Sequence, residues 1–299
     1  MILAPRTVKL TTRTGIDIQR TLPHRQIRTI GAWCFIDHFG PTNQENAMSV
    51  AAHPHVGLQT VSWLFEGEVE HRDSLGSVQV INPGELNLMT AGHGVAHSEL
   101  SSSSSPVMHG VQLWTVLPDG ARDIPPAFDH YNNLPVFSES GIDVRLFIGE
   151  FLGRSSPARI YSEMVGAEIR IAAGAHIQIP LKNEFEYGLL LVSGNLAVNE
   201  EDLPIEHIFY SAAGSAALHI SSTYGATVVL LGGVPFEEEI VMWWNFIGRS
   251  HEEIEQMRAD WEDQSTRFPA FVDQIHGRIP APAMPNLRLT PRGSVVAAD

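Results

Sequence analysis

The scarcity of cysteine is the first constraint that the sequence sets. Cys34 is the only cysteine among 299 residues, so no disulfide can form within the chain, and a reducing compartment such as the cytoplasm is the expected location. A structural zinc site is disfavoured as well, since such sites usually rely on cysteine ligands. Cys34 lies in the apolar run Ala-Trp-Cys-Phe-Ile, which predicts a buried and unreactive thiol.

Long apolar runs and basic residues are also scarce. No apolar run approaches the roughly 18 residues that suggest a membrane-spanning helix, and the N-terminal residues lack the apolar core and cleavage site of a signal peptide. No membrane partner is therefore expected. The chain has 19 Lys and Arg residues against 34 Asp and Glu residues, a net charge of −15. Because nucleic-acid binding needs clustered basic residues, direct binding to DNA or RNA is not expected.

The sequence is rich instead in short segments of Val, Ile and Leu separated by Gly, Pro, Asn and Asp. Such segments predict β-strands, and evenly spaced strands without intervening helices are typical of a sandwich or barrel. We therefore predict an all-β fold. The predicted strands are Thr60–Phe65, Ser77–Ile81, Val111–Val116, Val144–Ile148, Glu168–Ile171, His176–Pro180, Gly188–Val192 and Thr227–Leu231.

A weak internal repeat predicts two barrels of similar size. The segment Q-T-V-S-W-L-F-E-G, which ends at Gly67, resembles E-Y-G-L-L-L-V-S-G, which ends at Gly194. By the same comparison, the turn that contains Gly84 corresponds to the turn that contains Gly214, at nearly the same spacing. Chance similarity is the alternative, because glycine turns often follow strands.

Near the C-terminus the pattern changes to that of a helix. Ser250 and Glu253 have the spacing of a capping box, and Ile254, Met257 and Trp261 fall on one helical face. We predict a short helix that packs this apolar face against a barrel. The proline-rich segment that follows is expected to wrap the surface or to stay partly mobile.

Two pairs of alternating residues predict a metal site. Six of the 14 histidines lie between His53 and His109. They include His-Pro-His at 53–55 and His-Ser-Glu at 97–99, and residues i and i+2 of a strand point to the same face. The side chains that can converge inside a barrel are His53, His55, His97 and Glu99.

Three imidazoles and one carboxylate suit a divalent transition ion such as Fe, Mn, Co, Ni, Cu or Zn. Around an octahedral ion these four ligands leave two positions for water, substrate or dioxygen. A single His-x-His pair often occurs without a metal, so the prediction depends on the second pair, His97 and Glu99.

The neighbouring histidines have weaker patterns. His71 follows a glycine turn, and we expect a solvated turn residue. His93 stands between two glycines and could support a ligand or gate the pocket, whereas His109 precedes a strand and is expected to be structural. The run Ser101–Ser105 predicts a solvated loop, with a lid over the site as the alternative.

With these residues, the chain resembles the pirins, a family of two-barrel proteins in the cupin superfamily. The resemblance covers nearly the whole chain, and its motifs are highly specific in combination. They are F-I-D-H-F-G-P at 35–41, H-P-H-V-G-L-Q-T-V at 53–61, N-P-G-E at 82–85, T-A-G-H-G-V-A-H-S-E at 90–99, H-G-V-Q-L-W at 109–114 and P-F-E-E-E-I-V-M-W-W-N-F from Pro235.

The resemblance implies two jelly-roll-like cupin barrels packed face to face. The first, at residues 1–150, would hold one metal ion, usually iron as Fe(II), and the second, at residues 151–299, would lack a metal and carry the helix and tail. The ligand motif of the family maps onto His53, His55, His97 and Glu99.

Three positions depart from the family pattern. Gln59 stands where many pirins have Glu, Val56 stands where many have Arg, and His93 lies at a variable position. The ligands stay intact, but a neutral Gln59 would alter the electrostatics of the site if that position tunes it.

The resemblance implies two alternative functions. Some pirins resemble quercetin 2,3-dioxygenases, which open the ring of a flavonol with dioxygen and release carbon monoxide; Glu99 would then be the catalytic base. Other pirins are regulators, so a metal-dependent protein that binds a transcription factor or a metabolic enzyme is the alternative. A scaffold with a vestigial metal site is the third interpretation.

Overall fold

The structure, a computed structural model, describes residues 1–9, 16–43, 49–101, 107–269, 271 and 277–294. This part of the chain contains 25 strands and one helix, which confirms the all-β prediction. The serine run, apart from Ser101, lies outside the described residues.

The strands are short, as the sequence predicts. In the first half they are β1 (Ile2–Leu3), β2 (Arg6–Lys9), β3 (Asp17–Leu22), β4 (Trp33–Asn43), β5 (Ser49–His55), β6 (Leu58–Glu66), β7 (Val69–Asp73), β8 (Val78–Ile81), β9 (Leu86–Thr90), β10 (Val95–Ser101), β11 (Val107–Val116) and β12 (Ala127–Tyr131). In the second half they are β13 (Val136–Glu139), β14 (Ile142–Phe151), β15 (Arg154–Ser155), β16 (Met164–Ile171), β17 (Ala175–Pro180), β18 (Glu186–Gly194), β19 (Leu196–Val198), β20 (Glu201–Leu203), β21 (Ile208–Ser211), β22 (Ala217–Ser222), β23 (Ala226–Gly233), β24 (Val241–Trp243) and β25 (Phe246–Gly248), before the helix α1 (His251–Glu262). Each predicted strand coincides with an observed one, with Ser77 the single residue outside.

The strands form two barrels with the same internal order. The first barrel has a large sheet in the order β12-β9-β6-β11-β4-β3-β2 and a small sheet in the order β5-β10-β7-β8. The second has a large sheet in the order β1-β21-β18-β23-β16-β14-β13, with β15 beside β14, and a small sheet in the order β17-β22-β19-β20. The strands from β4 to β11 therefore correspond one by one to those from β16 to β23.

This correspondence confirms one half of the predicted repeat and corrects the other. Gly67 directly follows β6 and Gly194 is the last residue of β18, so both lie where the chain leaves the large sheet for the small one. Gly84 lies between β8 and β9, whereas Gly214 lies between β21 and β22, so their predicted equivalence is wrong. The turn equivalent to that of Gly84 has Glu206 at positive φ.

The N-terminal strand of the chain belongs to the second barrel, although the strands that follow it form the first. The N-terminal β1 pairs with β21 of the second barrel, in the place that β12 has beside β9 in the first. Sheet membership changes between Tyr131 and Val136, because β13 and β14 already pair into the second barrel. As a boundary between folding units, the division after residue 150 stays a prediction.

The two large sheets pack face to face through one buried core. Trp33 and Trp63 lie in this core, and their indole N–H groups donate across the interface to the Val165 carbonyl (3.1 Å) and the Glu168 carboxylate (2.9 Å). The backbone N–H of Gly31 donates to the carboxylate of Glu186 at 2.5 Å. Because buried polar groups are costly without partners, these bonds fix how the barrels meet.

The helix α1 begins directly after the predicted cap residue Ser250 and has the predicted buried face. The Ser250 hydroxyl accepts from the Glu253 backbone N–H at 3.2 Å, and Ile254, Met257 and Trp261 are buried. The Glu253 carboxylate accepts from Arg249 and Arg122 instead of completing a capping box. Among the described residues, no helix has the length and apolar character needed to cross a membrane.

The contact between Gly31 and Gly233 offers a test of the barrel interface. A Cβ on Gly31 would lie 2.7 Å from the Gly233 Cα, and φ is +54°. Gly174 has φ +74°, but a Cβ added there would have no described atom within 4 Å. We expect Gly174→Ala to lower the free energy of unfolding by about 1–2 kcal/mol through backbone strain and Gly31→Ala to lower it by about 1–3 kcal/mol more through overpacking.

Urea unfolding followed by tryptophan fluorescence would measure both losses. Equal losses in the two variants would show that the close approach at Gly31 does not contribute to the free energy of unfolding.

Candidate metal site

The four predicted ligands line one cavity of about 310 Å³ in the first barrel. Strand β5 supplies His53 and His55, and the neighbouring antiparallel strand β10 supplies His97 and Glu99. His97 stands directly opposite His53 in the ladder. Both predicted pairs therefore face one cavity. The close grouping of ligand atoms joins His53, His55 and His97, whereas Glu99 groups with His97 and His71.

A β-bulge adjusts the position of the carboxylate. The ladder between β10 and β5 shifts register after His97, so that Glu99 stands opposite Val50. The additional residue lies on β5, between Val50 and His53. Bulges of this kind locally twist a strand and re-aim its side chains, which makes them common beside functional sites.

The three histidines form a compact buried cluster. Their ring centroids lie 4.4 Å apart for His53 and His97, 4.9 Å for His55 and His97, and 5.0 Å for His53 and His55. One nitrogen of each ring lies within 4.8 Å of the others. The Nε2 atoms of His55 and His97 are 3.0 Å apart.

The donor set fits a cation. Burial, with a smaller contribution from His71, lowers the pKa of His53 to about 4, and burial with neighbouring imidazoles lowers the pKa values of His55 and His97 well below the usual range. Rings that stay neutral keep a lone pair for a metal. The Nδ1–H of His53 can donate to the Ala51 carbonyl at 2.9 Å, which leaves Nε2 free. Among the described residues, the buried Nδ1 of His55 has no hydrogen-bond partner.

Glu99 is buried beside this cluster. Burial raises the pKa of its carboxyl group, although the electrostatic interaction with His71 and the hydroxyl of Ser62 act in the opposite direction. The Ser62 hydroxyl lies 3.2 Å from Glu99 Oε1 and 2.9 Å from Gln112 Oε1. Since a hydroxyl has one proton, only one of these oxygens receives it at a time.

His71 is a site residue that the sequence interpretation missed. The expectation of a solvated turn residue is wrong, because His71 lies within β7 and is buried. Its Nε2 is 3.0 Å from Asp73 Oδ2, its Nδ1 is 3.3 Å from His97 Nδ1, and its ring stacks on Phe128. His71 also forms a second potential metal-binding group with His97 and Glu99. The sequence did contain a pattern that could have identified His71, since His71 and Asp73 have the same i, i+2 spacing as the other two pairs.

Two of the positions that depart from the family pattern lie away from the cavity lining. Gln59 donates to the Thr90 hydroxyl at 2.9 Å and to the Arg159 carbonyl at 3.2 Å, on the opposite face of β6 from Ser62. Val56 is buried in the cluster that contains Phe246. These two departures therefore do not alter the groups that line the cavity.

The two remaining histidines of the segment from His53 to His109 differ in environment. His93 is exposed, and its Nδ1 lies 3.2 Å from the Ile124 carbonyl. His109 lies within β11 and its Nε2 is 2.8 Å from that of His38. A structural role for His109 agrees with this contact, whereas His93 does not line the cavity.

Aromatic and charged side chains form the wall opposite the small sheet. Phe35 and Trp114 stack with centroids 3.9 Å apart, and the Arg20 guanidinium lies 4.3 Å from the centre of the Phe35 ring. Arg20 also donates two hydrogen bonds to Asp37, at 2.6 and 2.7 Å. A flat aromatic molecule can pack against such a wall. The remaining lining residues are Lys9, Ile18, Phe39, Val50, Gln112, Trp244, Asn245 and Ile279.

Comparison with known families and proteins identifies relatives of the chain. The Pirin family model matches residues 15–115, and the model of the pirin C-terminal cupin domain matches residues 166–269. The chain is 46% identical over 274 residues to a Pseudomonas aeruginosa protein named "Putative quercetin 2,3-dioxygenase PA1205", covering 91% of this chain and 87% of that protein. It is 34% identical over 279 residues to a pirin-like protein of Caulobacter vibrioides, covering 90% and 95% respectively.

A solved structure is similar over the same extent. The crystal structure of a quercetin 2,3-dioxygenase from Acinetobacter baumannii superposes with a TM-score of 0.93 at 38% sequence identity, and the match covers 97% of each chain. The two-barrel architecture is therefore shared with these relatives.

The buried neutral histidines predict a pH dependence of stability. In the unfolded chain histidine titrates near pH 6.5, whereas burial holds the folded pKa values of His38 and His53 at about 4. Between these values the unfolded state binds more protons, so the metal-free protein should lose stability as the pH falls from about 6.5 to about 4.

Thermal unfolding at about pH 7 and about pH 5 would measure this loss. His53→Asn should reduce the difference between the two midpoints, whereas His219→Asn, at an exposed position of the second barrel, should leave it unchanged. A difference that His53→Asn does not reduce would contradict the assignment.

Proposed function

The chain belongs to the pirin family, and from that premise we propose that it binds one divalent transition metal ion and acts as a dioxygenase of the quercetin 2,3-dioxygenase type. The observation that carries the proposal is the cluster of His53, His55 and His97, whose nitrogens lie within 4.8 Å of one another in an aromatic-walled cavity. The names of the Pseudomonas and Acinetobacter relatives support the same reaction class.

The residues that would hold the ion are His53, His55, His97 and Glu99. Fe(II) is the expected ion, while Mn, Co, Ni, Cu and Zn suit the same nitrogen and oxygen ligands. When bound, the ion supplies Lewis-acid and redox chemistry for the reaction of an electron-rich aromatic ring with dioxygen.

Glu99 is the group that would accept a proton from the substrate. Its carboxylate lines the cavity and is buried, and burial raises its pKa, which makes it a stronger base than an exposed carboxylate. The 3-hydroxyl of a flavonol is the matching acid, since its deprotonation makes the ring more electron-rich. When the Ser62 hydroxyl donates to Glu99 Oε1, that oxygen is held in place, and Oε2 is the oxygen that would bind the ion or accept the proton.

The aromatic wall would orient the substrate. Trp114 lies edge-on to His55, with centroids 5.1 Å apart, and stacks on Phe35. A cavity of about 310 Å³ lies at the small end of the range for ligand pockets, which favours a single aromatic molecule.

Metal content tests the ligand assignment. Freshly purified protein should contain about one transition metal ion per chain, and each alanine variant of His53, His55 or His97 should lose most of it, because two imidazoles hold an ion far less tightly than three. His219→Ala is the control, since this exposed histidine lies in the second barrel. Full metal content in the three site variants, measured by elemental analysis, would overturn the assignment.

Turnover tests the reaction. Metal-loaded protein should consume quercetin in air, with loss of the flavonol absorbance and release of carbon monoxide, and should not do so without oxygen. Glu99→Gln, compared at equal metal loading, should lower the rate by about 10²–10⁴-fold if the carboxylate accepts the proton. Turnover by Glu99→Gln at the wild-type rate would remove the base role.

A further inference from the structure

The pair His71 and Asp73 lies beside the ligands but outside the cavity. Strand β7 pairs with β10 so that Asp73 stands opposite His97 and His71 stands opposite Glu99. Both side chains are buried. Neither residue lines the cavity, so neither can touch a substrate there. Any role in the chemistry must act through His97 or Glu99.

Asp73 accepts hydrogen bonds with both carboxylate oxygens. Oδ1 accepts from the backbone N–H groups of Leu75 and Ser77, each at 2.9 Å, and this fixes the carboxylate in the turn after β7. Oδ2 lies 3.0 Å from His71 Nε2. A carboxylate can only accept, so the proton in this contact belongs to Nε2 of His71.

The position of that proton determines the next one. In the neutral form of His71, the proton on Nε2 leaves a lone pair on Nδ1. The Nδ1 of His71 is 3.3 Å from the Nδ1 of His97, so a hydrogen bond here requires the proton to lie on His97 Nδ1. His97 then has its lone pair on Nε2, the atom that lies 3.0 Å from His55 Nε2 in the cluster.

Asp73, His71 and His97 form a chain of hydrogen bonds, which we call the relay, and stacking holds its middle ring in place. The rings of His71 and Phe128 are nearly parallel, at 13°, with centroids 4.2 Å apart. His53 reaches the same protonation pattern by a simpler route, since its Nδ1 contacts the Ala51 carbonyl. At the Nδ1 of His97, the ring of His71 takes the place that this carbonyl has at His53.

We infer that Asp73 and His71 are positioning residues which keep the proton of His97 on Nδ1 and so present its Nε2 lone pair to the metal. This inference rests on the proposed metal site. It assigns to the third alternating pair of the small sheet a function distinct from ligation: the pair selects the tautomer of a ligand instead of binding the ion.

Asp73→Asn is the decisive substitution because its geometry is nearly unchanged. The two backbone N–H groups require an acceptor, so the amide oxygen of Asn should take the place of Oδ1 and its NH₂ group should face His71 Nε2. The NH₂ group donates, which moves the His71 proton to Nδ1 and, in turn, the His97 proton to Nε2.

The proton positions can be read without metal. Long-range ¹H–¹⁵N NMR of the metal-free, ¹⁵N-histidine-labelled protein distinguishes the two tautomers of each ring. We expect His97 protonated on Nδ1 in the wild type and on Nε2 in Asp73→Asn. A wild-type His97 protonated on Nε2 would overturn the inference, and this result does not depend on how well any variant folds.

Metal affinity tests the consequence. In a Co²⁺ titration, Asp73→Asn should bind about 10–100-fold more weakly than the wild type, as is typical when a partner of a ligand is changed. His71→Phe, which keeps an aromatic ring beside Phe128, should also bind more weakly. Asp143→Asn, at an exposed position in the second barrel, should bind as the wild type does.

The outcomes separate this inference from the proposed function. A reversed tautomer in Asp73→Asn with unchanged Co²⁺ affinity would show that the relay does not serve the metal, which overturns the inference while the site stands. A wild type with the expected tautomer but no Co²⁺ binding would overturn the proposed metal site, and the function assigned to the relay with it.

Discussion

The pairing of β10 with β5 on one side and with β7 on the other is the interaction on which the whole candidate site depends. Each of these strands contributes one i, i+2 pair of polar side chains. Backbone hydrogen bonds between adjacent strands fix the register, and the register sets which side chains meet. With His97 opposite both His53 and Asp73, the central strand brings the three pairs next to one another.

The second barrel shows what the same framework does with different side chains. Strands β17 and β22 pair as β5 and β10 do, but they direct Ile179, Leu218 and Ile220 into an apolar core. That core stabilises the barrel through burial of apolar surface. In the first barrel, the equivalent space contains imidazoles and a cavity, which have to be supported by the surrounding sheets. The two barrels therefore share one architecture and differ in the side chains that their interiors contain.

The interface between the large sheets supplies part of that support. On β6, Ser62 contacts Glu99 of the candidate site, while Gln59 and Trp63 contact the other barrel. A single strand thus connects the polar contacts of the site to the buried core between the barrels. The exchange of β1 into the second barrel adds a further connection along the chain.

Local patterns in the sequence were enough to predict eight of the 25 described strands, the helix with its Ser250 cap and the two pairs of candidate ligands. These features depend on alternation and helical periodicity, which are properties of a few consecutive residues. A weak repeat and the resemblance to the pirins added the two-barrel fold, and the resemblance also added the proposed function and the expected metal.

Only the tertiary structure decided which face of each strand met a barrel interior and which residues were neighbours across strands. That is why His71 is buried against His97 although it follows a turn, why Gln59 points away from the cavity, and why Gly84 and Gly214 occupy different turns. Burial and partner choice arise from contacts between segments far apart in the chain. The pattern of i, i+2 pairs therefore specified which groups could form the site. Strand pairing alone determined that His71 and Asp73 lie beside His97 and outside the cavity.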